Sequence, residues 1–152
     1  MKEKRKAILL LSRFFPSGHR RVGEPTMFKD NLANGTKIHT VRGNDGDRWA
    51  RRCQDVIGGR KYLSVRQWTG RPYNSEQEEM ARFDKIGLQR ITMTYSCEDA
   101  VPQCWVDGRK VPVETVAAND GLSAVDFVNW FFGRNPENFF EGVVIHFTDF
   151  RY

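Results

Sequence analysis

Cysteine is scarce in this chain: Cys53, Cys97 and Cys104 are the only three in 152 residues. An odd number at wide spacing does not build a disulfide scaffold. No C-x-x-C or His–Cys cluster offers the ligand set of a structural zinc site. The expectation is three buried, inert thiols, with no metal and no other cofactor. Long apolar runs are missing too. The longest, residues 7–11, is strand length and far short of the roughly 18–20 residues of a membrane span. The basic opening, MKEKRKAILLLSRFF, lacks the longer apolar stretch and small-residue cleavage site of a secretory signal. A cytoplasmic protein without a membrane partner is expected. No Gly-rich phosphate loop, dinucleotide fingerprint or H-E-x-x-H pair occurs, so nucleotide-hydrolysing, dinucleotide and zinc-protease classes have no support. No internal repeat or Pro/Ser-rich linker divides the chain, and residues 1–152 are read as one domain with its own core.

Apolar residues make up 39% and charged residues 28%, which suits a globular fold and excludes a disordered one. The net charge of +5 is unevenly spread. Between Lys37 and Arg71 there are nine basic residues against Asp45, Asp47 and Asp55. Such a patch draws phosphates, although a merely solvated face has the same composition.

Pattern and punctuation predict many short strands and a few helices. Strands are expected over 6–15, 61–69, 83–95 and 142–150, and helices near 27–34, 47–57 and 124–132. Asp107-Gly108 predicts a two-residue hairpin turn within 103–113. Ser123 is placed to cap the last helix, with Leu122 and Phe127 as its hydrophobic staple. The segments 16–25 and 70–79 read as loops, the first carrying Arg20 and Arg21 within reach of a neighbouring cleft. Together these predict an α+β fold, a β-barrel with peripheral helices.

Two stretches carry the chemistry. In FKDNLANGTKIHTVR (28–42), Thr26 can cap a short helix and Gly35 stops it. Lys37, His39, Thr40 and Arg42 then follow on an extended segment. Such residues serve a solvated helix–strand junction or a polar site. In 61–69, Tyr62, Ser64, Arg66 and Trp68 share one strand face, and Arg71 and Tyr73 follow directly. Alternating cations and rings suit single-stranded nucleic acid, where bases stack and arginines meet phosphates. Packing of Trp68 beneath the 70s loop is the plain alternative. His146, between Ile145 and Phe147, reads as a packed core residue.

GTKIHTVR resembles the G-x-K-x-x-T-x-R signature of the ASCH family, small PUA-like pseudo-barrel domains linked to RNA and modified nucleosides. Residues 48–68, 119–131 and 143–150 resemble that family's helical lead-in and first barrel strands, its D-G helix and its closing strand. The resemblance implies a PUA-like β-barrel that binds RNA or a modified nucleoside. With the alternating cations and rings, this makes Arg42, His39, Arg66, Trp68, Arg71 and Tyr73 the expected binding residues. Lys37, Thr40, Arg42 and Asp120 are expected to converge on one pocket, with Arg66 or Trp68 at its rim. The family's amidohydrolase branch, acting on N4-acetylcytidine, implies the catalytic set Lys37, Thr40 and Asp120. Lys37 would be the base, Thr40 the nucleophile, and Asp120 the acid or orienting group where that branch has glutamate. Two conditions follow. Lys37 must lose its proton far below the ordinary pKa of about 10.4. A bend near Ile38–His39 must bring positions 37 and 40 together, since a regular strand sends them to opposite faces. Asp before Gly is also an ordinary turn or cap. A small ribonuclease using Lys37, His39 or Tyr62 is a further alternative.

Overall fold

Residues Val143 to His146 alternate between two faces of one strand, yet all four are buried. A strand covered on both faces belongs in the middle of a layered structure. In the computed structural model, which describes residues 3–152, that strand is β8 (Phe139–His146). It pairs antiparallel with β2 (His39–Gly43) on one side and β5 (Gly87–Thr94) on the other. Next to β5 lie β6 (Gln103–Val106) and β7 (Arg109–Lys110), completing a five-stranded sheet in the order β2-β8-β5-β6-β7. A second sheet holds β1 (Arg5–Leu10), β3 (Lys61–Trp68) and β4 (Gln77–Phe83). Its order is β1-β3-β4, with β1 parallel to β3. The fold is α+β with two open sheets. Among the described residues no strand pairing joins them, so the expected barrel does not close.

Two apolar clusters flank the five-stranded sheet. Val143 and Ile145 face the first, with Leu9, Leu63 and Val65 from the other sheet and Cys53 and Val56 from α2 (Arg48–Ile57). Val144 faces the second, with Ile91, Met93, Val116 of α3 (Val113–Asn119) and Phe127 of α4 (Ala124–Phe132). The remaining helix, α1 (Phe28–Ala33), puts Phe28 into the first cluster. No helix of the described residues is long and apolar enough to cross a membrane.

The hairpin turn forms where Asp107-Gly108 predicts it, with φ values of 49° and 78°. These are the left-handed angles that a two-residue turn needs. Three helices fall where they are expected; α3 was missed. The first strand stops at Leu10 instead of residue 15, because Phe14 turns back to bridge Pro25. Of the strand expected over 83–95, residues 87–94 form the whole of β5, while residue 83 is the last of β4, which starts within the expected 70–79 loop. The last strand runs three residues earlier than expected at its start and ends at His146. Met27, at φ 65°, takes the N-cap of α1, while the Thr26 hydroxyl donates to the Ser12 carbonyl at 2.7 Å. Cys53 and Cys104 are buried, and desolvation pushes both thiols up to about 12. Cys97 is exposed, contrary to the expectation for all three.

The 16–25 loop is fastened to α4. Ser123 caps that helix by accepting from the Asp126 amide at 3.1 Å, as its spacing predicts. The Asp126 carboxylate, itself buried, receives Arg20 at 2.8 Å and Arg21 at 2.7 Å. These arginines therefore hold the loop to α4, and Arg20 also lines a groove of about 360 Å³ with Val125, Val128 and Phe132. Burial would raise the Asp126 carboxyl, but hydrogen bonding with the Arg21, Ser123 and Arg20 side chains outweighs it and leaves it below the usual range. A depressed carboxyl contributes stability above its unfolded pKa of about 3.9 and loses it as pH falls further. Asp126→Asn should therefore flatten the loss of stability between pH 5 and pH 2, read by urea denaturation across that range. At pH 7 it should cost about 2 kcal/mol, less than a sealed ion pair, because both arginines reach water. Equal pH dependence in the two proteins would refute the role.

Candidate functional site

Lys37 and Ile38 precede β2, so strand alternation does not govern where Lys37 points. The Lys37 amide donates to the Asn31 carbonyl and the Ile38 amide to the Asn119 carbonyl, each at 2.9 Å. The ends of α1 and α3 thus grip this segment. At the end of α3, Gly121 N–H bonds Ala118 O at 3.1 Å and Leu122 N–H bonds Ala117 O at 3.0 Å. That pair of bonds is a Schellman motif, with Gly121 at φ 80°. A Cβ on Gly121 would lie 3.1 Å from Lys37 Cβ, so glycine also permits the close approach. The turn delivers Asp120 onto the lysine.

Lys37 Nζ donates to Asp120 Oδ1 at 3.2 Å and to the Asp120 carbonyl at 2.9 Å. The ammonium sits 4.1 Å from the Phe28 ring centroid, and the side chain is 1% exposed. Burial lowers the Lys37 pKa, against the pull of Asp120, and the nearby Arg42 cation pushes the same way as burial. The first condition set by the sequence is therefore met in direction.

His39 supplies a partner that the sequence did not reveal. Its Nδ1 lies 3.2 Å from Asp120 Oδ1, and its Nε2 lies 2.6 Å from Tyr152 Oη. Asn119 Nδ2 donates to the same phenol oxygen at 3.0 Å. Burial raises the Tyr152 pKa, so the phenol keeps its proton. With Asn119 donating to its oxygen, the phenol O–H is free to donate to His39 Nε2. The network assigns the imidazole proton to Nδ1, where it donates to Asp120. Asn119, Tyr152 and His39 thus form a directed chain ending on the carboxylate. Tyr152 is held by Gln89, which accepts from the Tyr152 amide at 3.0 Å and is itself fixed by His146 Nε2 at 2.8 Å. Burial, reinforced by the neighbouring His39, lowers His146 to about 3, so it is a neutral core residue as the sequence suggests.

Both anchors hold one carboxylate oxygen, Oδ1. Among the described residues no group hydrogen-bonds Oδ2, and Asp120 lines a cavity of about 160 Å³. Thr40 and Arg42 line it as well, with Phe28, Trp130 and Phe131 as its aromatic wall. The Thr40 hydroxyl has no partner among the described residues, and nothing joins it directly to Lys37 or Asp120. Arg42 gives one N–H group to the Leu10 carbonyl and lies 5.5 Å from the Trp49 ring. Its other donors remain for a ligand. Larger surface grooves exist, such as one of about 460 Å³ beside Arg13 and Glu78. That groove does not combine a buried acid–lysine pair with an unpartnered hydroxyl.

The structure therefore joins Lys37, His39, Thr40, Arg42 and Asp120 in one place. Lys37 and His39 stand behind Asp120 and do not line the cavity themselves. Arg66, Trp68, Arg71 and Tyr73 are not at its rim. Arg66 donates to Ser64 Oγ at 2.8 Å, and Trp68 lies against Tyr73 with ring centroids 5.2 Å apart. Tyr62 is on the same outer strand face, apart from Lys37 and His39. Among the described residues no group of three or more His, Cys, Asp or Glu side chains could hold a metal ion. Scanning against protein-family models finds no match for the chain, and neither curated proteins nor solved structures yield a similar one.

Proposed function

We propose that this chain is an ASCH-type, PUA-like protein that binds a pyrimidine-sized base of RNA or of a modified nucleoside in the Thr40–Arg42–Asp120 cavity. The observation that carries the reading is the cavity's pairing of an aromatic wall with a carboxylate oxygen, a hydroxyl and a guanidinium, all without protein partners on the ligand side. A cavity of about 150 Å³ accepts one six-membered ring. At about 160 Å³ this one takes a pyrimidine and crowds a purine. Asp120 Oδ2 accepts from a ring amino or imino group, and Arg42 donates to a carbonyl. The two open sheets around the first apolar cluster are compatible with a pseudo-barrel of the PUA-like kind.

Calorimetric titration with cytidine, N4-acetylcytidine and adenosine tests this. Both pyrimidines should bind, and adenosine should bind at least tenfold more weakly. Equal affinity for all three, or none for any, would refute it.

The lowered Lys37 pKa favours a second reading, an amidohydrolase that releases the acyl group of N4-acetylcytidine. Thr40 Oγ would attack the acyl carbonyl, and its proton would pass to Asp120 Oδ2 under the control of Lys37. Cytidine would leave with that proton, and water would then cleave the acyl-threonine. Cytidine release, followed chromatographically, decides between binder and enzyme.

A further inference from the structure

The cavity does not use Arg66, Trp68, Arg71 or Tyr73, and their placement has its own logic. Along β3, Leu63, Val65 and Gln67 turn inward and are buried, which sends Tyr62, Ser64, Arg66 and Trp68 to the outer face of the three-stranded sheet. No helix of the described residues covers that face. Helix α2 packs into the cluster between the sheets, and α3 and α4 contribute to the cluster beyond the five-stranded sheet.

On this face rings and cations stand beside the half-buried Ile8 and Leu10 of β1. Arg82 Cζ stands 3.6 Å from the Tyr62 ring centroid. Ser64 is fully buried beneath its neighbours, accepting from Arg66 and donating to Glu79 Oε1 at 2.6 Å. At the end of the strand, Tyr73 packs on Trp68 yet remains 86% exposed. Tyr73 also holds φ at 65°, a left-handed conformation that bulky side chains avoid. Burial does not compensate that strain, and strained, exposed residues concentrate where ligands bind. Lys6, Arg66, Arg71 and Arg82 on or beside this face outnumber Glu79 and Glu76.

We propose that the outer face of β1-β3-β4 docks single-stranded nucleic acid, with bases stacked on Trp68 and Tyr73 and phosphates on Arg66, Arg71 and Arg82. Duplex hides its base faces and gains nothing from exposed rings, whereas a single strand offers a face and a phosphate at every step. An acidic protein segment would meet the cations but would leave the rings unused. The surface extends the nucleic-acid reading of the cavity and shares no residue with it, so the two stand or fall separately.

Fluorescence anisotropy with a labelled uridine 12-mer, a duplex of equal length and a poly-glutamate peptide tests the proposal. Wild type should prefer the single strand and weaken as salt rises from 50 to 200 mM. Tyr73→Ala should weaken binding roughly tenfold, the loss of one stacked base. Arg71→Ala should reduce the slope of log affinity against log salt by about 0.7. Both side chains are exposed, so both variants should fold, which a circular-dichroism melt checks. Equal binding of single strand and duplex, equal binding of poly-glutamate, or indifference to Tyr73→Ala would overturn it. If Thr40→Ala abolishes oligonucleotide binding while Tyr73→Ala does not, the strand enters by the cavity and this surface is not its site. If Tyr73→Ala weakens the oligonucleotide while nucleoside affinity is unchanged, the two sites are separate as proposed.

Discussion

Asp120→Ala lowers the unfolding free energy by about 3–5 kcal/mol, the cost of leaving one buried charge without its partner. The side chain of Lys37 is 1% exposed and receives no other counter-charge among the described residues. His39 loses its acceptor in the same substitution. Asp120→Asn should cost less, since the amide oxygen still accepts from Lys37 while the charge is gone. Lys37→Met in the Asp120→Asn background should recover stability, because an apolar chain of similar length then fills the space beside Phe28. A lysine whose folded pKa lies below its unfolded value binds fewer protons when folded, so stability rises with pH between the two values. Removing Asp120 takes away the group that holds this pKa up, so the rise should widen in Asp120→Ala. Urea denaturation at pH 6 and pH 9 measures both effects. A loss under 1 kcal/mol, with no change in pH dependence, would contradict the buried pair.

Thr40→Ala gives the opposite profile, with stability kept and function lost. Its hydroxyl has no protein partner among the described residues, so removing it leaves nothing unsatisfied and should shift stability by about 0.5 kcal/mol or less. If Thr40 only contacts a bound base, affinity should fall by roughly tenfold, one hydrogen bond's worth. If Thr40 is the nucleophile, release of cytidine from N4-acetylcytidine should fall by at least about a thousandfold, with affinity nearly unchanged. Asp120→Glu sharpens the comparison. The longer side chain is the one that the proposed amidohydrolase reading calls for, and activity should hold or rise if the carboxylate takes part in the chemistry. Thr40→Ala with wild-type binding and wild-type turnover would remove this residue from the site.

The local parts of this fold are legible in the sequence. Asp107-Gly108 turns the hairpin, Ser123 caps α4, and Gly35 at φ 82° ends α1, each because short-range backbone chemistry decides it. Helix α3 escaped, although Pro112, Glu114 and Gly121 mark its ends as a helix normally is marked. The strong hairpin pattern just before it claimed that stretch. The site was legible as a set of residues and not as an arrangement. Lys37, Thr40 and Asp120 could be chosen by motif, but the chain from Asn119 through Tyr152 to His39 joins positions up to 113 apart. Nothing in local periodicity announces such a contact. Arg66 and Trp68, expected to bind with the motif residues, lie apart from the cavity. Strand alternation sends them to the outer face, and Asp126 holds Arg20 and Arg21 against α4, apart from the Thr40–Arg42–Asp120 cavity.

Occluding the cavity tests the central claim most directly. Ser12 lines its mouth, and the Thr26 hydroxyl reaches only backbone here, the Ser12 and Arg13 carbonyls, so Ser12→Trp fills the opening without breaking those bonds. Calorimetric titration of wild type and Ser12→Trp with N4-acetylcytidine should show binding to the first and none to the second, at matching melting temperatures. Undiminished binding in Ser12→Trp would mean that the ligand sits elsewhere and that the Thr40–Arg42–Asp120 cavity is not the site.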